Sequence, residues 1–313
     1  MNPESNGPKI VEHKYTELAF MVTDDTPGRL ADWLVKKCGF SHKAIKRIKH
    51  NGLVKKNGLP ALMKDRVAPG DSLLIFDPQA APSPYIRPET MPLDIRYEDN
   101  DVLVINKPAG ICVHPNRRYP SGTLIEGVAG YLMNQGSEPS PHLVNRIDKD
   151  TSGLTLIAKH AYAARQLFIG QTTGSLRRYY LALAEGRAPI ESGALEWPLV
   201  REKGASIRRQ VCEPDQEGQT AKTHYQVVKR FKAHTLFTIW LETGRTHQIR
   251  AHFSHWGYPL AGDELYGGSS QIVNRQFLHA YLLEFIHPIH SERMSFKAEL
   301  PEDLSAALKI AKQ

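Results

Sequence analysis

Five prolines fall within the sixteen residues from 77 to 92, DPQAAPSPYIRPETMP, and they divide this chain before any other feature does. Proline fixes its own φ and has no amide hydrogen, so neither a helix nor a strand ladder runs through such a stretch. With no hydrophobic period of its own, it reads as a stiff linker between domains. The expected organisation is a tail over 1–14, a small body over 15–76, the linker over 77–92, and a larger body over 93–313. The 313 residues give both bodies length enough for a buried core.

The small body is strongly basic. From Pro27 to Phe76, eleven Lys or Arg stand against three Asp, a net +8, while the whole chain carries only +7. A basic module on a nearly neutral body fits a grip on a polyanion, against the plainer reading of a solvated basic surface. Residues 15–22 read as a strand and 29–37 as a helix, with Leu30, Trp33 and Leu34 on one face. Ser41 is placed to cap a second helix to about His50, with Ala44, Ile45 and Ile48 as its apolar stripe. Lys43, Lys46, Arg47 and His50 take the opposite face. Leu53–Lys56, which includes Lys55, begins a strand that turns at Asn57-Gly58, and Ser72–Phe76 is another. Arg29-Leu30, the Ser41-led helix, Gly52 with Val54, Asn57-Gly58, and Val67 with Gly70-Asp71 together resemble the αL RNA-binding domain, a module also found in a ribosomal small-subunit protein. The resemblance implies that Lys43, Lys46, Arg47, His50 and Lys55 follow RNA phosphates without reading bases.

Composition excludes several classes. Hydrophobic residues at 41% and aromatics at 8% are ordinary for a soluble protein, and no apolar run reaches a membrane span. The N-terminal MNPESNGPKIVEHKY lacks the apolar segment of a signal peptide. Cys38, Cys112 and Cys212 show neither disulfide nor zinc spacing, which points to the cytoplasm. The expectation is a monomer with no membrane attachment and no obligatory protein partner.

In the larger body, strands are expected at Asp101–Asn106, Gly153–Ala158, Tyr179–Ala184, His234–Glu242 and Phe277–His287. Helices are expected from the T-x-x-E capping box Thr123–Glu126 to about Asn134, from His160 to Ile169, and after Thr246 as cap, with Ile249, Phe253 and Trp256 inward. Strands and helices do not alternate strictly, so the fold class is α+β with a mixed, mostly antiparallel sheet.

Before the apolar strand at Gly153 stands a crowded polar loop, Asn145-Arg146-Ile147-Asp148-Lys149-Asp150-Thr151-Ser152. By itself such a loop reads first as a hydrogen-bonded turn in which Asp150 or Thr151 caps the backbone. Several further segments occur in order: Val104–Gly110 with Val113-His114-Pro115; Tyr180–Leu183 with Gly186; Thr243–His252 followed by Gly257-Tyr258-Pro259, Gly262-Asp263 and Leu265-Tyr266-Gly267; and Leu278-His279-Ala280 with His287-Pro288. Together, over residues 93 to 304, they resemble the RluA family of pseudouridine synthases, whose usual loop is H-R-L-D-x-x-T-S-G.

The resemblance implies an RNA pseudouridine synthase acting on uridines of large-subunit ribosomal RNA or transfer RNA. It implies Asp148 as the nucleophile, Arg250 as the cation that keeps it ionised, and Tyr180 against the target base, with Arg146, Arg245 and His247 contacting RNA. Neither cofactor nor metal is expected, since isomerisation needs no redox step. Asn145 stands where histidine is usual and Ile147 where leucine is, so position 145 keeps a hydrogen-bonding side chain but offers no acid or base. His247, His252 and His255 lack an HExxH pattern and read as structural or RNA-contacting. Arg117-Arg118 and Arg208-Arg209 read as solvated, with RNA contact as the sharper alternative, and Lys107 reads as a turn organiser. Two rival functions remain at this point: a non-catalytic RNA-binding protein on the same scaffold, and a metal-dependent hydrolase of nucleic acid.

Overall fold

The computed structural model describes residues 9–14, 17–23, 28–78, 85–136, 140–202, 204, 207–212 and 217–313. The expected strand positions Tyr15 and Thr16, the start of the tail, and residues 79–84 of the linker lie outside them.

The N-terminal unit contains β1 (Lys9–Lys14), β2 (Glu17–Met21), β3 (Gly28–Arg29), α1 (Leu30–Lys36), α2 (His42–Asn51), β4 (Leu53–Lys56), β5 (Leu59–Pro60), β6 (Arg66–Val67) and β7 (Ser72–Phe76). Five of these strands form an antiparallel sheet in the order β1-β2-β7-β4-β5. Alternation along β2 and β7 puts Leu18, Phe20, Leu73 and Ile75 against Leu30, Trp33 and Leu34 of α1 and Ala44 and Ile48 of α2. Ser41 Oγ accepts from Ala44 N at 3.1 Å and so starts α2. Asn57 and Gly58 both take positive φ, the conformation a two-residue hairpin between β4 and β5 requires.

The larger unit contains β8 (Ile95–Glu98), β9 (Val102–Lys107), α3 (Leu124–Asn134), β10 (His142–Leu143), β11 (Ser152–Ala158), α4 (Ala161–Thr173), β12 (Arg177–Glu185), β13 (Ser192–Leu195), β14 (Leu199–Arg201), β15 (Arg209–Val211), β16 (Thr223–Arg230), β17 (His234–Leu241), α5 (Gln248–His255), β18 (Leu278–Ile286), β19 (Arg293–Lys297) and α6 (Glu302–Ala311). Its ten-stranded sheet runs β13-β16-β17-β12-β18-β11-β9-β8, with β10 on β11 and β19 on β18. Every pairing is antiparallel except β11 with β18, which share only Ser152↔His279 and Gly153↔Ala280. The sheet therefore parts at its centre, and the loop before β11 lies at that split.

Helices cover both faces. Leu124, Ile125, Val128 and Leu132 of α3 and Ile249 and Phe253 of α5 pack on one, beside Tyr180 and Ala182. Ala163 and Leu167 of α4 pack on the other, against Val102, Val104, Leu154 and Leu156, while α6 covers Leu183 and Leu236. Covered on both sides, β11 is buried along its whole length. The reciprocal capping box of Thr123 and Glu126 starts α3.

The proline-rich stretch is not a free spacer at its C-terminal end. Glu89 N donates to Glu126 O at 3.0 Å, and Met91 and the Glu89 carbonyl occupy the space beside Gly127 and Gly130 of α3. The two units also touch. Tyr162 of α4 enters the N-terminal core, its ring centroid 4.7 Å from that of Phe40, and its hydroxyl donates to Cys38 O at 3.1 Å. Gln166 Nε2 donates to the same carbonyl at 2.7 Å.

Candidate active site

The polar loop over residues 145–152 is fixed from several sides, which explains its residue types. Asn145 is buried; its Oδ1 accepts from Leu156 N at 2.6 Å and its Nδ2 donates to Leu154 O at 3.3 Å. It thus supplies hydrogen bonds to the backbone of β11, a structural task that needs no titrating group. Lys107 is fully buried and its Nζ donates to the carbonyls of Pro108, Ile111 and Lys149 at 2.7–2.9 Å. Burial pushes its ammonium down to about 7, against the upward pull of Asp150 and Asp148. It organises the Pro108–Ile111 turn and joins it to the loop. Arg275, held by Asp303, donates to Asp150 O at 2.8 Å, and Gln276 Nε2 donates to Thr151 Oγ1 at 3.2 Å. Gly153 follows with φ +113, where a Cβ would collide with the Ala280 carbonyl.

What this frame presents is Asp148. Its Oδ2 lies 3.1 Å from Arg250 Nη1 and 3.9 Å from His247 Nε2, with about a fifth of the side chain exposed. Arg250 comes from the first turn of α5, far away in sequence. Its remaining fork is occupied: Nε and Nη2 donate to the two oxygens of buried Asp263, both at 2.7 Å. Burial alone would lower the Arg250 pKa, but Asp263 and Asp148 carry it above the ordinary arginine range. Its guanidinium carbon also lies 5.0 Å from the centroid of the Tyr266 ring. Arg250 is therefore a fixed cation rather than a mobile one, and it holds one carboxylate oxygen in place.

Tyr180, on the β12 face toward this loop, is 3% exposed and lines the same cavity as Asp148, Arg146, Arg245, His247 and Arg250. Burial raises its phenol pKa, with the Arg178 charge opposing and Asp148 adding to the rise. A neutral aromatic wall beside a guanidinium-held carboxylate suits a flat, uncharged ring next to a reacting carbon.

The other expected contacts divide. Arg146 and Arg245 are exposed at the cavity, and Arg245 Nε donates to Thr220 O at 3.0 Å. His247 also lines the cavity; its Nδ1 is 3.0 Å from the Tyr266 hydroxyl, and burial lowers its pKa. Lys43, Lys46 and His50 are exposed on α2, and Lys55 is half-buried. Arg47 is a correction to the expected free basic face, because Nε and Nη2 grip Asp77 at 2.7 and 2.5 Å. Arg208 is also engaged, donating to Glu202 at 3.1 Å and lying over Tyr266.

Thr246 is not the helix cap. His247 takes that position with φ +55, and Gln248 fixes the turn by accepting from Thr243 Oγ1 and Arg245 N while donating to Lys222 O and Thr223 Oγ1. Asp263 and Tyr266 have no role legible in the sequence motifs, because they meet Arg250 and His247 from 13 and 19 positions away. His247, His252 and His255 do not converge as ligands: His252 Nε2 meets Trp197 O, and His255 stacks edge-on to Trp197. The one convergent His/Asp group among the described residues is Asp101, His287 and His290. There His287 Nδ1 accepts from the amides of Ile289 and His290, so Nε2 carries the proton and donates to Asp99 at 2.9 Å. It works as a brace between the β8–β9 turn and the end of β18.

Comparison with known proteins follows the same residues. The family profile described as RNA pseudouridylate synthase matches residues 101–255. A Bacillus subtilis protein named uncharacterized RNA pseudouridine synthase YjbO is 41% identical, over 87% of this chain and 95% of its own. The ribosomal large subunit pseudouridine synthase D of Yersinia pestis is 36% identical, over 92% of this chain and 87% of its own. Among solved structures, human RNA pseudouridylate synthase domain containing 4 superposes with a TM-score of 0.56 at 22% identity, over 69% of this chain and 91% of its own, which shows a shared fold.

Proposed function

The chain belongs to the RNA pseudouridine synthase family and is an RNA-modifying isomerase, and from that premise we propose that it converts specific uridines of large-subunit ribosomal RNA with Asp148 as the catalytic carboxylate. The observation that carries the assignment is the Asp148–Arg250 contact at 3.1 Å, opening on the cavity lined by Tyr180. The substrate class rests on relatives named for the ribosomal large subunit, including those of Yersinia pestis, Xanthomonas campestris and Pseudomonas aeruginosa at 33–37% identity.

The reaction breaks the bond from ribose C1′ to uracil N1, reorients the base, and joins C1′ to C5. The proton on C5 leaves and N1 ends protonated, so atoms and electrons balance without an oxidant or reductant. Asp148 serves either as nucleophile at the sugar or base, or as the base that removes a sugar proton, and both roles need its anion. Arg250 orients that carboxylate through its 3.1 Å contact. Tyr180 stacks on a uracil taken out of its RNA stack. Arg146 and Arg245 meet backbone at the cavity, and Lys43, Lys46, His50 and Lys55 give the N-terminal unit a sequence-tolerant hold on RNA.

The test is pseudouridine mapping in RNA from cells lacking the protein, before and after adding the purified enzyme. New pseudouridines in large-subunit ribosomal RNA are expected with the wild type and none with Asp148→Asn, while Asp150→Asn retains turnover at a matched melting temperature. Turnover by folded Asp148→Asn would sink the catalytic assignment; modification confined to transfer RNA would overturn the substrate.

A further inference from the structure

We propose that Arg178 binds the backbone phosphate of the target nucleotide, a role that rests on the reading of this cavity as the site for an RNA uridine. Arg178 lies on β12 two residues before Tyr180, and strand alternation sends both side chains to the same face. It is only 9% exposed, yet its buried Nε has no hydrogen-bond partner and no carboxylate pairs with the guanidinium among the described residues. Other arginines of the chain are paired. Arg250 is held by Asp263 and Asp148, Arg275 by Asp303, and Arg47 by Asp77.

A buried cation without a counter-ion is costly to the folded state, so a fold that keeps one gains nothing in stability from it. Its surroundings point to an anion supplied by substrate. The guanidinium packs under the loop that carries Arg245: a Cβ added at Gly244 would lie 3.4 Å from Nη1 and 3.8 Å from Nη2. Leu241 and Arg245, on either side of Gly244 in the chain, line the cavity that holds Asp148 and Tyr180. RNA presents one anionic group, the phosphodiester, and the planar guanidinium fork matches two of its oxygens. A phosphate held here would set the depth to which the uridine enters beside Tyr180, a positioning contact that carries no sequence information.

The experiment measures binding of an oligouridylate pentamer to the wild type, Arg178→Gln and Arg178→Lys across a salt series. It is repeated with pentamers in which one phosphodiester at a time is an uncharged methylphosphonate. Arg178→Gln is expected to bind about tenfold more weakly, with the slope of log K against log salt shallower by about 0.7, the value for one phosphate on a single strand. Arg178→Lys keeps the slope and recovers part of the affinity. One methylphosphonate position costs the wild type affinity and costs Arg178→Gln none. Removal of an unpaired buried charge should leave the melting temperature of Arg178→Gln equal to or above that of the wild type.

A lower melting temperature with an unchanged salt slope would make Arg178 a structural residue and overturn the proposal. So would equal methylphosphonate penalties in both proteins, or no measurable pentamer binding by the wild type. The mapping experiment above is read separately. If the wild type modifies no large-subunit uridine while the methylphosphonate signature persists, the substrate reading fails and the phosphate site stands.

Discussion

Arg250 shows how one side chain decides what a carboxylate can do. Its three donors serve two acids: Asp263 takes two of them, and Asp148 receives the third. Lysine has one nitrogen and cannot span both positions. Arg250→Lys is expected to lower kcat by about a hundredfold, the scale of losing one preorganised charged contact, with RNA affinity changed far less. Equal losses in kcat and affinity would instead make Arg250 an RNA contact. Asp263 touches no reacting atom in this arrangement and acts through the arginine. Asp263→Asn should therefore reduce kcat about tenfold while KM and RNA affinity hold, measured by single-turnover and steady-state rates on the same RNA. A rise in KM with unchanged kcat would show that Asp263 serves binding.

At the scale of elements, the site depends on where β11 and β18 separate. Ser152 Oγ meets His279 Nδ1 at 2.9 Å, and His279 Nε2 reaches Ala298 O at 3.3 Å, so one imidazole ties the start of β11 to β18 and to the segment after β19. Burial holds the His279 pKa down to about 4, below the ordinary 6.5. Between those values the unfolded chain takes up a proton that the folded chain refuses. The stabilisation is therefore complete above pH 6.5 and is lost as pH falls toward 4, a change on the order of 3 kcal/mol for this group. Denaturant titrations at neutral and acid pH check it: His279→Gln should be less stable than the wild type at neutrality and lose less on acidification. Parallel loss in both proteins would assign the acid sensitivity elsewhere, and His142, also lowered to about 4 by burial, is the next group to replace. Element boundaries set by local chemistry were legible in the sequence. Ser41 capped its helix, the Thr123–Glu126 box started another, and Asn57-Gly58 turned a hairpin. The α5 cap falls one residue later than the Thr246 expected from sequence, because His247 adopts a left-handed conformation beside Gln248, which contacts Lys222 and Thr223. Those partners are more than twenty residues away, beyond any capping rule.

Across the whole molecule, the basic unit and the enzyme body share a packed contact in place of a loose tether. Tyr162 and Ile289 belong to the N-terminal core although both come from the larger unit. Tyr162→Ala should cost about 3–5 kcal/mol, as for other buried aromatics, and should split thermal unfolding into two transitions. A single transition shifted downward would mean that the units do not melt separately even without this ring. The grip itself is tested on exposed residues. Replacing Lys43 and Lys46 together by glutamine should make the salt dependence of RNA binding shallower by about 1.5, close to two phosphates, with turnover at saturating RNA preserved. An unchanged slope would place the phosphate contacts elsewhere on the chain.

The sequence by itself determined the mixed α+β character, most helix and strand positions, the basic excess before Phe76, and the motif residues Asp148, Tyr180 and Arg250. These follow from local rules of periodicity, capping and turn chemistry, or from ordered motifs that survive as letters. Only the tertiary structure decided which charges are free and which are spent. Asp77 occupies Arg47, Asp263 takes most of Arg250, carbonyls absorb Lys107, and nothing pairs with Arg178 among the described residues. The physical reason is that an ion pair or hydrogen bond depends on separations of about 3 Å, and folding brings the two acids of Arg250 to it from 13 and 102 positions away. Local pattern carries no record of those distances, so the meaning of each charged residue at this site was set when the strands and helices packed.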